Sequence, residues 1–474
     1  MERWSWFGAI SAAFIALFLR LRGIGHPQAF MFDETYYAKD AYALINGGRS
    51  RAFVENADLL IINGTTENVM LNDPTFTVHP EVGKWLIGAG IEIFGMDPTG
   101  WRVSAALFGS LTVLVLARIV WHLTASVWAS TFAGLLLALD GLHFTMSRIA
   151  MLDIFLAFWT LLGVLFVIKD RGKTGWLRPW QILAGVSFGL AIGTKWSALY
   201  VLAAFGIAVW FWDRRENLQR WFLAGLAAFV RLVVVALFVY VSTWAGWLNS
   251  SDVYRDAFAE SNNWPEETSE GFTQSLRDLG YYHRQTLDFH TGEYMAKHTH
   301  GYSSKPLSWL VLKRPVNVYA QNSMPAKLCG APEDSKCVQQ VLMLGNPVIW
   351  WGGVAAMVVA VLAAAVSRHW RWSVPLLGFA ATWLPWFTSG TRPIFQFYAV
   401  VILPFLIISI ALVAQRGMNY LKRNKPNHTE WGYGLIVAFG VLALLTFIYF
   451  YPILTGATIE LDEWNDRMWF TSWI

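Results

Sequence analysis

About eleven long apolar stretches run through this chain of 474 residues, and they leave few choices for its fold. They cover 6–19, 103–121, 127–139, 154–168, 181–193, 196–212, 221–240, 348–366, 374–387, 395–413 and 433–450. A helix crosses the hydrocarbon of a bilayer in about 20 residues, and in lipid only helices or closed barrels satisfy every backbone group. Charged residues make up only 14% of the chain, against about 25% in soluble domains. The 27 Trp and 32 Phe suit aromatic belts at two membrane–water interfaces. The sequence therefore predicts an all-α polytopic membrane protein. No basic run sits in a soluble domain large enough to display it, which argues against nucleic-acid binding.

Two stretches need separate treatment. Residues 2–19 resemble a signal peptide, but no small-residue cleavage site follows and Arg20 and Arg22 interrupt, so a retained first helix is expected. Residues 85–94 are apolar but short and carry Glu92, which predicts an interfacial or re-entrant helix.

Positive charge sets the orientation. Arg3 precedes the first stretch. Lys169, Arg171, Lys173 and Arg178 follow the fourth, and Arg214, Arg215 and Arg220 the sixth. Arg368 and Arg371 follow the eighth, and Arg416, Lys422, Arg423 and Lys425 the tenth. With eleven spans all of these fall on the side of the N-terminus, which the positive-inside rule makes cytoplasmic. The opposite face then receives residues 22–101, 140–153, 245–345 and the tail 454–474. Three regions result: a catalytic transmembrane module of about seven spans at 1–244, an outer loop region at 245–346, and a four-span region with an outer tail at 347–474. A connector of about 100 residues is too long to be structureless.

Candidate chemistry gathers on that outer face. Asp33 and Glu34 stand side by side just past the first span, where a solvated loop is the ordinary reading and a reactive pair the functional one. His79-Pro80-Glu81-Val82-Gly83-Lys84 and Trp101-Arg102 follow. A lysine at an interface is ordinarily a snorkelling anchor, but Lys84 and Arg102 lie against the positive-inside trend, and an anionic head group would explain them. Arg148 and Asp153 flank the fourth span, as a structural ion pair or as site residues. Lys195 and Arg392, the latter within Ser389-Gly390-Thr391-Arg392-Pro393, complete a rim of cations suited to a lipid-linked phosphate. Cys329 and Cys337 fit a local disulfide in an oxidising compartment better than a metal pair or two free thiols.

Taken together, Phe32-Asp33-Glu34, His79-Pro80 with Gly83-Lys84, Ser147-Arg148 with Leu152-Asp153, Lys195-Trp196 and His300-Gly301-Tyr302-Ser303-Ser304-Lys305-Pro306-Leu307-Ser308-Trp309 resemble the protein O-mannosyltransferases, glycosyltransferase family 39. The resemblance runs in order along nearly the whole chain. It implies the C-type membrane glycosyltransferase fold and a bacterial, actinobacterial type of member, because about 100 residues cannot hold the three β-trefoil domains of eukaryotic members. Glu81 departs from the family, which often has a second proline there.

The implied reaction moves mannose from polyprenyl-phosphate mannose to Ser or Thr of exported proteins, with inversion, outside the plasma membrane and coupled to secretion. Asp33 is then the general base and Glu34 its orienting neighbour. Lys84, Arg102, Arg148 and Arg392, in falling order, bind the donor phosphate. His79, Asp153, Lys195 and His300 support them. No organic cofactor is implied, and without an outer cluster of three carboxylates no obligatory metal is expected. A C-type transferase acting on a lipid or glycan is the alternative. A transporter fits less well, because the charges crowd one rim and no internal repeat is evident.

Overall fold

The computed structural model describes residues 1–474 except 176, 214–216, 263, 265–266 and 390–391. Arg214 and Arg215 of the predicted basic cluster, and Gly390 and Thr391 beside Arg392, lie outside the described residues.

Each of the apolar stretches falls on a helix. The membrane helices and their outer companions are α1 (Glu2–Leu21), α2 (Glu34–Gly47), α3 (Val82–Phe94), α4 (Pro98–Thr124), α5 (Val127–Ala138), α6 (Gly141–Met146), α7 (Leu152–Asp170) and α8 (Pro179–Ile192). They continue with α9 (Ala198–Trp212), α10 (Leu218–Ser242), α11 (Gly271–Thr291), α12 (Pro347–Ser367), α13 (Trp370–Trp383), α14 (Gln396–Asn424) and α15 (Thr429–Thr455). By length and composition seven of the described helices can cross a membrane: α1, α4, α7, α10, α12, α14 and the helix that includes α15; α5, α8 and α9 are apolar but shorter. α3 has 13 residues, too few for a span, as its Glu92 suggested.

Local chemistry fixes where these helices begin. Asp97 accepts the Gly100 N–H at 2.9 Å, with Pro98 in the first turn of α4. Asn346 caps α12 ahead of Pro347 and also donates to Ala443 O at 2.8 Å, tying α12 to α15. Asp140 caps α6 through the His143 N–H, and its other oxygen accepts from Asn346 N and Trp350 Nε1, both at 2.9 Å. One buried carboxylate thus joins the N-terminal and C-terminal halves.

Segments expected on the outer face touch one another. Tyr282 of α11 exchanges hydrogen bonds with the backbone of Thr77, and Gln339 donates to Gly456 O at 2.8 Å. In the first loop β1 (Arg51–Phe53) pairs antiparallel with β2 (Met70–Pro74), and within the long loop β3 (Val316–Pro325) and β4 (Lys336–Met343) form an antiparallel hairpin clipped by the Cys329–Cys337 disulfide. β5 (Thr458–Glu460), from the segment after α15, adds a third strand beside β4.

Candidate active site

Asp33 and Glu34 part company at once. Phe32 adopts φ +51°, a left-handed conformation rare for a bulky residue, and its ring packs edge-on against His300, Phe395 and Phe397. Asp33 then lines a cavity of about 540 Å³, together with Tyr37, Asp40, His79, Lys84, His290, His300, Arg392 and Tyr398. Burial pushes its carboxyl up to about 6, with Lys195 pulling it down and Asp153 pushing it up.

Glu34 turns inward and is fully buried. Its oxygens accept from Met31 N at 2.8 Å, Ala150 N at 2.9 Å, and Arg102 Nε and Nη2 at 2.8 Å each. No oxygen of Glu34 faces the cavity; it acts on Asp33 by holding the backbone that carries it. Glu34 is therefore a positioning residue that touches nothing in the cavity.

Two of the four cations assigned to the donor phosphate are corrected as well. Arg102 is fully buried, and all five of its N–H groups are engaged: two by Glu34, the rest by the carbonyls of Ile24, Pro27 and Ala29. Arg148 donates to Arg20 O and Arg22 O at 2.7 Å and to Gly23 O at 2.9 Å, bracing the end of α1. Neither lines the cavity. Asp153 pairs instead with Lys195, at 2.8 Å.

The cations that do line it differ in how far they are neutralised. Lys84 is buried and paired with Asp40 at 2.9 Å. It is placed by Gly83, where a Cβ would meet Leu152 at 2.7 Å, so α3 can lie against α7. Arg392 has no carboxylate partner among the described residues, and its buried Nε has no hydrogen-bond partner.

What Arg392 does have is His290. The His290 Nε2 stands 3.1 Å from Val78 O, which can only accept, so this nitrogen carries the hydrogen. That leaves Nδ1 to accept from Arg392 Nη1, also at 3.1 Å. His79 stacks on the His290 ring at 5.4 Å. Burial lowers both imidazoles, His290 to about 4, which keeps them neutral. His290 and Tyr398 escaped the sequence reading. His290 continues the buried face Leu279, Tyr282, Thr286 of α11 at helical spacing, and that stripe was the available signal.

The 540 Å³ cavity continues into a waist of about 100 Å³ lined by His79, Lys195, Trp196, His290, Arg392 and Tyr398. Lys195, Trp196 and Tyr398 then pass into a third chamber of about 330 Å³ between α7, α9 and α13, where Leu156, Leu199, Val201, Ala381 and Val401 appear. The result is a polar chamber with a carboxylate, a cationic neck, and a largely apolar chamber among membrane helices. Among the described residues no three His, Cys, Asp or Glu side chains form a group that could hold a metal ion.

Comparison with known proteins places this arrangement. Residues 98–250 match the family described as dolichyl-phosphate-mannose-protein mannosyltransferase, and residues 275–473 match the C-terminal four-span region of protein-O-mannosyltransferase. The polyprenol-phosphate-mannose–protein mannosyltransferase of Mycobacterium tuberculosis is 32% identical, over 97% of this chain and 90% of its own. Its Corynebacterium glutamicum counterpart is 30% identical over 100% and 94%. Among solved structures, the Saccharomyces cerevisiae protein O-mannosyltransferase Pmt1–Pmt2 complex bound to the sugar donor superimposes with a TM-score of 0.77 at 14% identity, covering 99% of this chain and 92% of that one. ArnT of Cupriavidus metallidurans bound to undecaprenyl phosphate gives 0.56 at 14% identity, over 94% and 76%. These likenesses identify the C-type glycosyltransferase fold.

Proposed function

The chain belongs to the protein O-mannosyltransferase family, and on that footing we propose that it transfers mannose from polyprenyl-phosphate mannose to Ser or Thr hydroxyls of exported proteins, on the extracytoplasmic face of the plasma membrane and with inversion. The observation that carries this reading is the succession of three cavities that share lining residues, from Asp33, past Lys195 and Arg392, to the apolar chamber between α7, α9 and α13. A lipid-linked sugar phosphate has the same three parts in the same order. The prenyl chain lies among α7, α9 and α13, the phosphate sits in the neck, and the mannose reaches the polar chamber.

Asp33 is the base. Its pKa of about 6 leaves it ionised at neutral pH yet basic enough to take a proton in the transition state. The acceptor oxygen attacks C1 of mannose as its hydrogen passes to Asp33, and the bond from C1 to the phosphate oxygen breaks. The departing phosphate gains charge, which Arg392, without a carboxylate partner among the described residues, offsets, with Lys195, paired to Asp153, beside it. A single displacement turns a β-linked donor into an α-mannoside.

Purified protein, labelled polyprenyl-phosphate mannose and a Ser/Thr peptide test the reading. Label is expected in the peptide, as the α anomer, with Asp33→Asn losing about 10²-fold or more in rate while remaining folded. The wild-type rate is expected to fall as the pH drops through about 6, as Asp33 takes up its proton. Label in lipid instead of peptide would overturn the acceptor, a β product the inversion, and near-normal transfer by Asp33→Asn the base.

A further inference from the structure

A separate cavity lies at the end of the bundle away from Asp33. α4 runs from one end to the other over 27 residues, so the two sites stand about 40 Å apart. This cavity, about 440 Å³, is framed by the last turns of α4, α12 and α14 and the first turn of α13. Leu123, Leu412 and Trp372, all buried, supply its apolar part. Arg371, Arg416 and Arg423 supply its charge. Among the described residues no Asp or Glu lines it, and none of these three arginines has an ion-pair partner.

Two further observations mark it as more than a basic loop. Gln415 donates its amide N–H to Asn419 at 2.9 Å, but its buried Oε1 has no partner and needs a donor. His369, also in the lining, is held below its ordinary pKa first by burial and then by the neighbouring Arg371 and Arg171. The positive-inside tendency accounts for cations at one end of a bundle. It does not account for a recess free of carboxylates with an orphaned acceptor in its wall.

An anion that also carries hydroxyl donors and an apolar body answers all of these at once. We propose that this cavity binds the headgroup of an anionic phospholipid bearing free hydroxyls, of which phosphatidylglycerol is the simplest. Arg416 and Arg423 meet the phosphodiester, Gln415 accepts from a headgroup hydroxyl, and the glycerol backbone rests against Leu412 and Trp372. Basic pockets between transmembrane helices are built for such headgroups.

The full chain, purified in neutral detergent, is titrated with phosphatidylglycerol, phosphatidic acid, phosphatidylcholine or inorganic phosphate, and retained lipid is counted by native mass spectrometry. One phosphatidylglycerol per chain is expected, held more tightly than phosphatidylcholine. Arg416→Gln/Arg423→Gln is expected to weaken it about thirtyfold, the effect of removing two interfacial cations. Gln415→Leu keeps the charge and is expected to weaken phosphatidylglycerol but not phosphatidic acid. Peptide mannosylation in phosphatidylcholine vesicles, unchanged in the double variant, reports that it is folded; Arg423→Gln alone carries the test if the double variant does not fold. Equal retention by wild type and variant, phosphatidylcholine bound as tightly, or displacement by equimolar inorganic phosphate would each overturn the proposal.

Discussion

Arg102 and Arg392 carry the same group into the same end of the molecule, and their surroundings give them opposite work. Arg102 fills every donor position and neutralises Glu34, so its loss leaves a buried carboxylate and three carbonyls unmatched. Breaking such a pair costs about 3–5 kcal/mol. Arg102→Ala is therefore expected to lower the melting temperature steeply, whereas Arg392→Ala is expected to leave it near wild type and raise the KM for donor. Thermal unfolding beside donor kinetics separates the two. His290 belongs to the same argument: His290→Ala is expected to raise donor KM in the manner of Arg392→Ala, and His290→Gln, which can still donate to Val78 and accept from Arg392, to restore it. If the double variant His290→Ala/Arg392→Ala adds the two effects in full, the histidine does not act through the arginine. At this scale the sequence could nominate cations but not rank them. Which arginine keeps a free N–H depends on carbonyls brought in from Ile24 and Ala29, and spacing along the chain does not encode that.

At the scale of elements, legibility follows the length of the pattern. The apolar stretches declare their helices because a helix in lipid needs a long uninterrupted run, and Glu92 marked α3 as something else. The hairpin β3–β4 had no comparable run, being short and mixed in polarity, and α11 offered only the one-sided stripe Leu279, Tyr282, Thr286 on an otherwise polar helix. The corner between α3 and α4 is an example of what packing adds. A Cβ on Gly100 would lie 1.8 Å from Gly95 O, and one on Gly90 would lie 2.4 Å from Gly100 O, so two backbones touch where the chain turns toward Arg102. Gly100→Ala must push backbone rather than a side chain. A loss of about 1–3 kcal/mol is expected, read as a lower melting temperature. An unchanged melting temperature would mean that the corner relaxes freely.

At the scale of the whole molecule, three chambers joined by shared residues make donor length a measurable quantity. Ala381 faces the apolar chamber, away from Asp33's cavity. Ala381→Trp is expected to raise KM for a long-chain donor and to leave KM for a donor with a truncated lipid unchanged. Equal effects on both donors would mean that the prenyl chain lies elsewhere. The fold class was readable from the apolar stretches, but the succession of chambers was not, since it is formed by helices far apart in the chain.

The third strand has a consequence for how the protein is made. β5 follows α15 in the chain, so the three-stranded sheet cannot close before α15 has been made. Trp473 then donates to Leu312 O, and Arg314 reaches Ser472 O, fastening that late segment under the loop that carries His300. Until residues 458–460 are in place, one edge of β4 is unpaired, so the sheet is completed late in the chain's synthesis.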